Sequence, residues 1–334
     1  MSTFARTSMK RMAFSVGIIV LAASCGDDTQ QSQPASAATV SSVAAAATDA
    51  PLATEPAGPV SVEAANGTVT LGAMPRKIVS LSPTHTEILF AIGAGDQVIA
   101  VDEQSNFPAE ADKVKSTLSG FTPNIEAIAG YRPDLVVMAD DYDGVGDQLK
   151  ALKIPVWSGP AATSLDDVYA QIEQLGVLTG HAPGALQLSS QMTADVDKIV
   201  ASLPQLAKPL SFYHELDSTY FSSTSNTFIG VIYDLAGLTN IADTAEAGND
   251  YPQLSAEFIV SANPDLIFLA DTKCCAQNAD TVAARDGWGA IAAVKNGHVI
   301  SMDDDISSRW GPRVVDYLQA VANAVNAAAV APVG

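Results

Sequence analysis

Few residues of this sequence stand at the spacing that catalysis needs. No G-x-S-x-G string offers a nucleophile elbow, no C-x-x-C a redox pair, and the turn after the first strand reads SPTHTE rather than G-x-G-x-x-G. The four histidines, His85, His181, His214 and His298, are scattered. A zinc site would need further Cys or His ligands at regular spacing, so neither a metal centre, a resident cofactor nor an enzyme is expected. Cys274 and Cys275 are adjacent in KCCAQN. In an oxidising compartment they either close a small vicinal ring that stiffens their loop or remain two free thiols. The most regular chemical signal is a repeated carboxylate. NIEAIAGYRPDLVVM (124–138) is echoed by SAEFIVSANPDLIFL (255–269), pairing Glu126 with Glu257 and Pro133-Asp134-Leu135 with Pro264-Asp265-Leu266 at a constant offset of 131.

The elements around these carboxylates repeat as well. RKIVSL, SPTHTE and ILFAIGAG read as strand, turn and helix with a Gly stop, followed by the strand QVIAV. NIEAIAGY is a short helix that Pro133 blocks, and DLVVM is a buried strand. DQLKALKI, PVWSG and SLDDVYAQIEQLGVLTG continue as helix, strand and capped helix. TYFSSTSNTFIGVIYDLAGLTNIA follows the plan of the first segment, and PDLIFLA, a helix near VAARDGWGAIAAV, VISM and a last helix from Val314 complete it. Alternating strands and helices imply parallel βαβ units. Between the halves, Met192, Val196, Ile199 and Leu203 recur at helical spacing, so one long helix ending before Pro204 joins them. The expected fold is α/β: two Rossmann-like lobes with mainly parallel sheets, residues 75–182 and 206–330, joined by a rigid interlobe helix over 183–205. A ligand would sit between the lobes, at the carboxyl ends of the strands.

Composition narrows the class. Of 334 residues, 17 are basic and 37 acidic, a formal charge of −20, which excludes a nucleic-acid surface. Arg6, Lys10 and Arg11 precede the apolar run MAFSVGIIVLAAS, too short to span a bilayer and suited to a signal segment over 1–24. The run ends at LAASC, which resembles the lipobox of bacterial lipoproteins and implies acylation of Cys25; Ala22 stands where that pattern prefers leucine. Residues 25–74 are expected to be the lipidated cysteine and a tether. Over 26–60 the chain is Ala, Ser, Thr and Pro without an aromatic residue, too poor in apolar surface to offset its ordering entropy.

IVSLSPTHTEILFAIGAGDQVIAV, NIEAIAGYRPDLVV and AEFIVSANPDLIF resemble the periplasmic binding proteins that serve ABC importers of vitamin B12 and iron chelates, over about residues 75–328. The resemblance implies a monomer, lipid-anchored at the outer face of the cell membrane and touching it through that anchor only. It implies a rigid linking helix with little closure on binding. It further implies delivery of a small-molecule chelate to a permease dimer, whose arginines Glu126 and Glu257 would meet. Any cobalt or iron would belong to the transported ligand. By the same resemblance, Gln104, Phe121, Asp141, Tyr251, Asp305, Arg309 and Trp310 are candidate ligand contacts. Trp310 could give a stacking face and Arg309 a donor fork, whereas Arg313 reads as structural. Phe121 stands where haem binders often carry a tyrosine ligand. Acidic clusters at Asp140, Asp141 and Asp143 and at Asp303–Asp305 would repel an anionic siderophore if both lined the cleft. The ligand stays open between a corrinoid and a ferric siderophore, with haem, or a non-transport scaffold or enzyme, as alternatives.

Overall fold

The computed structural model describes residues 58–330. The signal segment 1–24, Cys25 and the chain up to residue 57 lie outside the described residues. The description opens on an antiparallel hairpin, β1 (Val60–Ala64) and β2 (Gly67–Leu71), inside the stretch assigned to the tether. That assignment is corrected for residues 60–71. Alternating VSVEA and TVTL flank an Asn-Gly pair, a strong hairpin signal. The hairpin buries Val69 and Leu71, and Asn66 Nδ2 donates to Val156 O at 2.9 Å.

The first lobe runs β3 (Ile78–Leu81), α1 (Pro83–Ala91), β4 (Val98–Val101), α2 (Ile125–Gly130), β5 (Leu135–Met138), α3 (Val145–Ala151), β6 (Val156–Ser158) and α4 (Leu165–Thr179). α5 (Ala182–Ala201) then leads into the second lobe. That lobe comprises β7 (Ser211–Glu215), α6 (Phe228–Leu235), β8 (Thr239–Asn240), α7 (Ala256–Ala262), β9 (Leu266–Leu269), α8 (Ala279–Ala283), α9 (Ala292–Lys295), β10 (Val299–Ser301) and α10 (Val314–Val330). The sheets are ordered β4-β3-β5-β6 and β8-β7-β9-β10, with every pairing parallel. Both lobes thus place their second strand beside the first and their third on its other side. The repeat in sequence is a repeat in topology.

The echoed segment has a structural reason. In each lobe the Pro-Asp-Leu aspartate fastens the strand next door. Asp134 Oδ2 accepts from Arg76 N just before β3, and Asp265 Oδ2 accepts from Ser211 N and Oγ at the start of β7. Asn124 and Ser255 cap the short helices through Ala127 N and Phe258 N. Each segment turns into its strand through a left-handed residue before the proline, Arg132 at φ 52° and Asn263 at φ 49°.

The central strands are covered on both faces, as parallel strands require. Leu135 and Val137 enter one core cluster and Val136 and Met138 another; Leu266 and Phe268 separate from Ile267 and Leu269 in the same way. The first of these clusters spans both lobes and includes Met192, Val196 and Ile199 of α5 and Tyr317 and Val321 of α10. α5, about 30 Å long at 1.5 Å per residue, is therefore part of a shared core. It stops at Ala201, so Leu203 lies beyond the helix.

Two expectations differ in detail. The strand placed at TYF is β7, eight residues earlier, because Ser211–Glu215 carries the buried run. Its connection to α6 is consequently far longer than the one-residue link between β3 and α1. The helix expected near VAARDGWGAIAAV is broken into α8, a single turn at Trp288–Ala290, and α9, with Gly287 left-handed at φ 81°.

Candidate functional site

A cavity of about 450 Å³ opens where the first lobe's strands end. Every carboxyl end of that sheet reaches it: Leu81 and Ser82 after β3, Asp102 and Gln104 after β4, Ala139 and Asp140 after β5, and Ala161 after β6. Gly120 and Phe121 form one rim. The second lobe contributes only the connection from β10 to α10, through Asp305, Ser308, Arg309 and Trp310.

Local sequence explains this wall. Ser82 caps α1, accepting from His85 N, and Pro83 opens the helix, so the positive end of α1 faces the cavity. Asp102 is buried, and its carboxylate accepts from Gln104 N (2.7 Å), Ser105 N (3.0 Å) and Ser105 Oγ (2.9 Å). Burial, the strongest influence, leaves its pKa raised despite these bonds. A side chain at 120 would put Cβ 2.4 Å from Leu81 O, so only glycine lets this loop lie on β3 and hold Phe121 at the rim, 71% exposed.

The second-lobe side is locked to the first by ion pairs. Glu87 of α1, 2% exposed, accepts from Arg309 Nη1 at 2.8 Å, Arg313 Nε at 2.8 Å and Arg313 Nη2 at 2.6 Å. Arg309 also donates to Asp305 (2.7 Å), Asn106 Oδ1 (2.9 Å) and Gln104 O (3.1 Å). Asn106 Nδ2 returns a bond to Asp305 at 3.0 Å. A second polar bridge runs through Gln171 of α4. Its Oε1 faces both Trp310 Nε1 (3.0 Å) and His85 Nε2 (2.9 Å), and its Nε2 donates to Pro160 O. His85 is fully buried against the edge of Trp157, which pushes its pKa down to about 4 and keeps the ring neutral.

Of the expected ligand contacts, Gln104, Phe121, Asp305, Arg309 and Trp310 border the cavity. Asp141 does not: its carboxylate accepts from Gly146 N at 2.8 Å, capping α3 where Gly144 has no side chain to do so. Asp140 takes its place in the wall. Tyr251 is also outside the wall and 49% exposed. Bonds from Ser222 N to Pro252 O and Thr224 N to Asp250 O fasten its loop to the β7–α6 connection. Arg309 is not a free donor fork, because carboxylates and carbonyls of both lobes occupy its donors. Arg313 is structural, as expected, and also stacks on Phe107 at 4.2 Å.

The acidic charge at Asp303–Asp305 is partly offset by cations. Lys273 Nζ reaches Asp303 and Asp305, each at 2.7 Å, and Asp304 accepts from Thr272, Lys273 and Cys274. Glu126 and Glu257 are exposed in the first turns of α2 and α7, and neither has a hydrogen-bond or ion-pair partner among the described residues. Cys274 and Cys275 form a vicinal disulfide.

Sequence reasoning missed Glu87, Asn106, Lys273 and Gln171. Gln171 alone left a readable signal, since it falls on the stripe Val168, Gln171, Ile172, Leu175 that α4 buries. Among the described residues no group of three His, Cys, Asp or Glu side chains could hold a metal, and no helix is long and apolar enough to cross a membrane.

Known proteins give the fold and site a family. The periplasmic binding protein model matches residues 78–306. An uncharacterised ABC transporter substrate-binding lipoprotein of Bacillus subtilis, YvrC, is 31% identical over 80% of this chain and 85% of its own. A cobalamin-binding protein of Halobacterium salinarum is 30% identical over 78% and 72%. The crystal structure of a possible iron-binding (periplasmic solute-binding) protein from Staphylococcus epidermidis superposes with a TM-score of 0.64 at 27% identity, covering 75% of this chain and 98% of that one. The chain belongs to the periplasmic binding protein family. Members are substrate-binding transport proteins that take small molecules and work with ABC permeases.

Proposed function

We propose that this protein is the extracytoplasmic substrate-binding lipoprotein of an ABC importer, capturing a chelate that already saturates its own metal, of the corrinoid or ferric-siderophore type. The observation that carries the reading is the make-up of the cavity wall, which among the described side chains holds no His, Tyr, Cys or Met. Haem iron draws axial ligands from such side chains, and the described wall offers none. A corrinoid or a hexadentate siderophore needs only shape, a stacking face and hydrogen bonds. Phe121 and Trp310 supply the faces; Ser82, Thr84, Gln104 and Ser308 supply hydroxyl and amide groups. Pairing of Asp303 and Asp305 with Lys273 and Arg309 lessens the repulsion of an anionic chelate on that side of the cavity. The cobalamin-binding relative supports the corrinoid arm.

Binding needs no resident cofactor. The protein acts as a monomer, held at the outer face of the membrane by acyl chains on Cys25. Glu126 and Glu257 dock on arginines of the permease dimer; their matched, exposed and unpartnered positions on the two lobes support this two-point contact. Ultraviolet–visible titration with cobalamin, two ferric siderophores and haemin tests the ligand class. A saturable shift with a corrinoid or siderophore at micromolar concentration is expected. Binding of haemin alone, or of none of these, overturns the assignment. For docking, Glu126→Ala and Glu257→Ala are each expected to weaken the permease complex by about 2 kcal/mol with chelate affinity unchanged; full transport by the double variant rejects it.

A further inference from the structure

The vicinal disulfide lies on the loop after β9, at the carboxyl end of that strand, with Cys274 exposed and Cys275 half-buried. The loop backbone wraps one carboxylate. Asp304 Oδ1 accepts from Thr272 N (2.9 Å) and Oγ1 (2.7 Å), and Oδ2 accepts from Lys273 N (2.9 Å) and Cys274 N (3.0 Å). Behind it, Asp271 O accepts from Cys275 N and Gln277 N. The Lys273 ammonium extends from this loop to Asp303 and Asp305, and Asp305 holds Arg309 and Asn106, on opposite sides of the cleft. An unbroken series of bonds therefore runs from the disulfide to the cavity wall and the interlobe lock.

We propose that Cys274–Cys275 is a redox-controlled clasp: closed, it holds the 303–310 wall of the cleft in place, and reduction by a dithiol loosens that wall. The S–S bond accepts two electrons and two protons and becomes two thiols, while the dithiol is oxidised to its own disulfide. With the ring open, the backbone of residues 274 and 275 regains conformational freedom. The three consecutive N–H groups are then no longer held together on Asp304, and Lys273 is no longer aimed at Asp303 and Asp305. Regulation of ligand binding by this clasp rests on the function proposed above; the mechanical link does not.

Hydrogen exchange of the full chain, with and without dithiothreitol, reads the link directly. Reduction is expected to speed exchange of amides 272–274 and 305–310 by about tenfold or more, reversed by reoxidation, with no iodoacetamide labelling before reduction. In Lys273→Met, reduction should speed 272–274 as in the wild type but speed 305–310 less, because only the route through Asp304 remains. Alkylation of both cysteines without reductant, unchanged exchange at 305–310 in the reduced wild type, or an undiminished response there in Lys273→Met overturns the clasp. Chelate titration of both forms is the second arm, with affinity expected to fall about tenfold on reduction. Equal affinity in the two forms overturns regulation. If no chelate binds either form, the proposed function fails, and the exchange arm still decides the clasp.

Discussion

Replacing Glu87 by glutamine tests how the two lobes are held. The carboxylate accepts three charge-assisted bonds from Arg309 and Arg313 and is almost wholly removed from water, with those side chains only 8% and 16% exposed. Glutamine keeps one carbonyl oxygen, which can serve two of the three donors, but it turns an NH2 group toward the third. It also removes the carboxylate with which Arg313 forms its ion pair among the described residues. Losing one partner of a buried ion pair costs roughly 3–5 kcal/mol, and the retained acceptor places Glu87→Gln near the lower end, about 3 kcal/mol. That is a large share of the about 5–15 kcal/mol typical of a folded domain. Urea unfolding followed by tryptophan fluorescence measures it. Because the pair is desolvated, the loss should be nearly the same in 0.05 M and 0.5 M salt. A loss under about 0.5 kcal/mol, or one that salt erases, would refute the reasoning and reduce the lock to a surface contact. Replacing Glu87, Arg309 and Arg313 together by apolar residues of similar size should restore most of the stability. Small-angle scattering would then show whether the lobes have lost their fixed spacing.

Three other outcomes are expected. Phe121→Ala should weaken chelate binding by about 1–2 kcal/mol yet leave unfolding within about 0.5 kcal/mol, because the ring is 71% exposed; calorimetric titration and thermal melting separate the two. Burial, and then Glu215 beside it, push the Asp271 carboxyl from 3.8 up to about 7, and its oxygens find no donor among the described residues. The folded state therefore keeps a proton that the unfolded chain releases. This stabilisation is complete below pH 4 and is lost as pH rises toward 7. Asp271→Asn should flatten that decline, and a variant whose melting temperature falls with pH as the wild type's does would reject it. The buried His85 and His214, lowered to about 4 and about 3, act in the opposite sense and withdraw stability as pH drops below 6.5. Finally, Arg132→Gly should stabilise the first lobe by about 1 kcal/mol, since φ 52° strains an arginine and not a glycine; urea midpoints decide, and a lower midpoint contradicts it.

Sequence alone determined the repeat. Hydrophobic period, glycine and proline stops and the twin Glu…Pro-Asp-Leu segments mark both lobes, the joining helix and the start of the last helix at Val314, because each is written in neighbouring residues. The hairpin at 60–71 was legible too, in its Asn-Gly turn, but was masked by the Ala- and Ser-rich chain before it. The site was legible as loops and only partly as roles. Phe121 and Trp310 border the cavity, whereas Asp141 caps a helix and Arg309 is consumed by the lobe junction. Whether a charge serves a ligand or another side chain depends on partners such as Glu87 and Arg309, 222 positions apart along the chain. No local pattern encodes such a pairing. Only the packing of one lobe against the other brings those groups out of water and within ion-pair distance of each other.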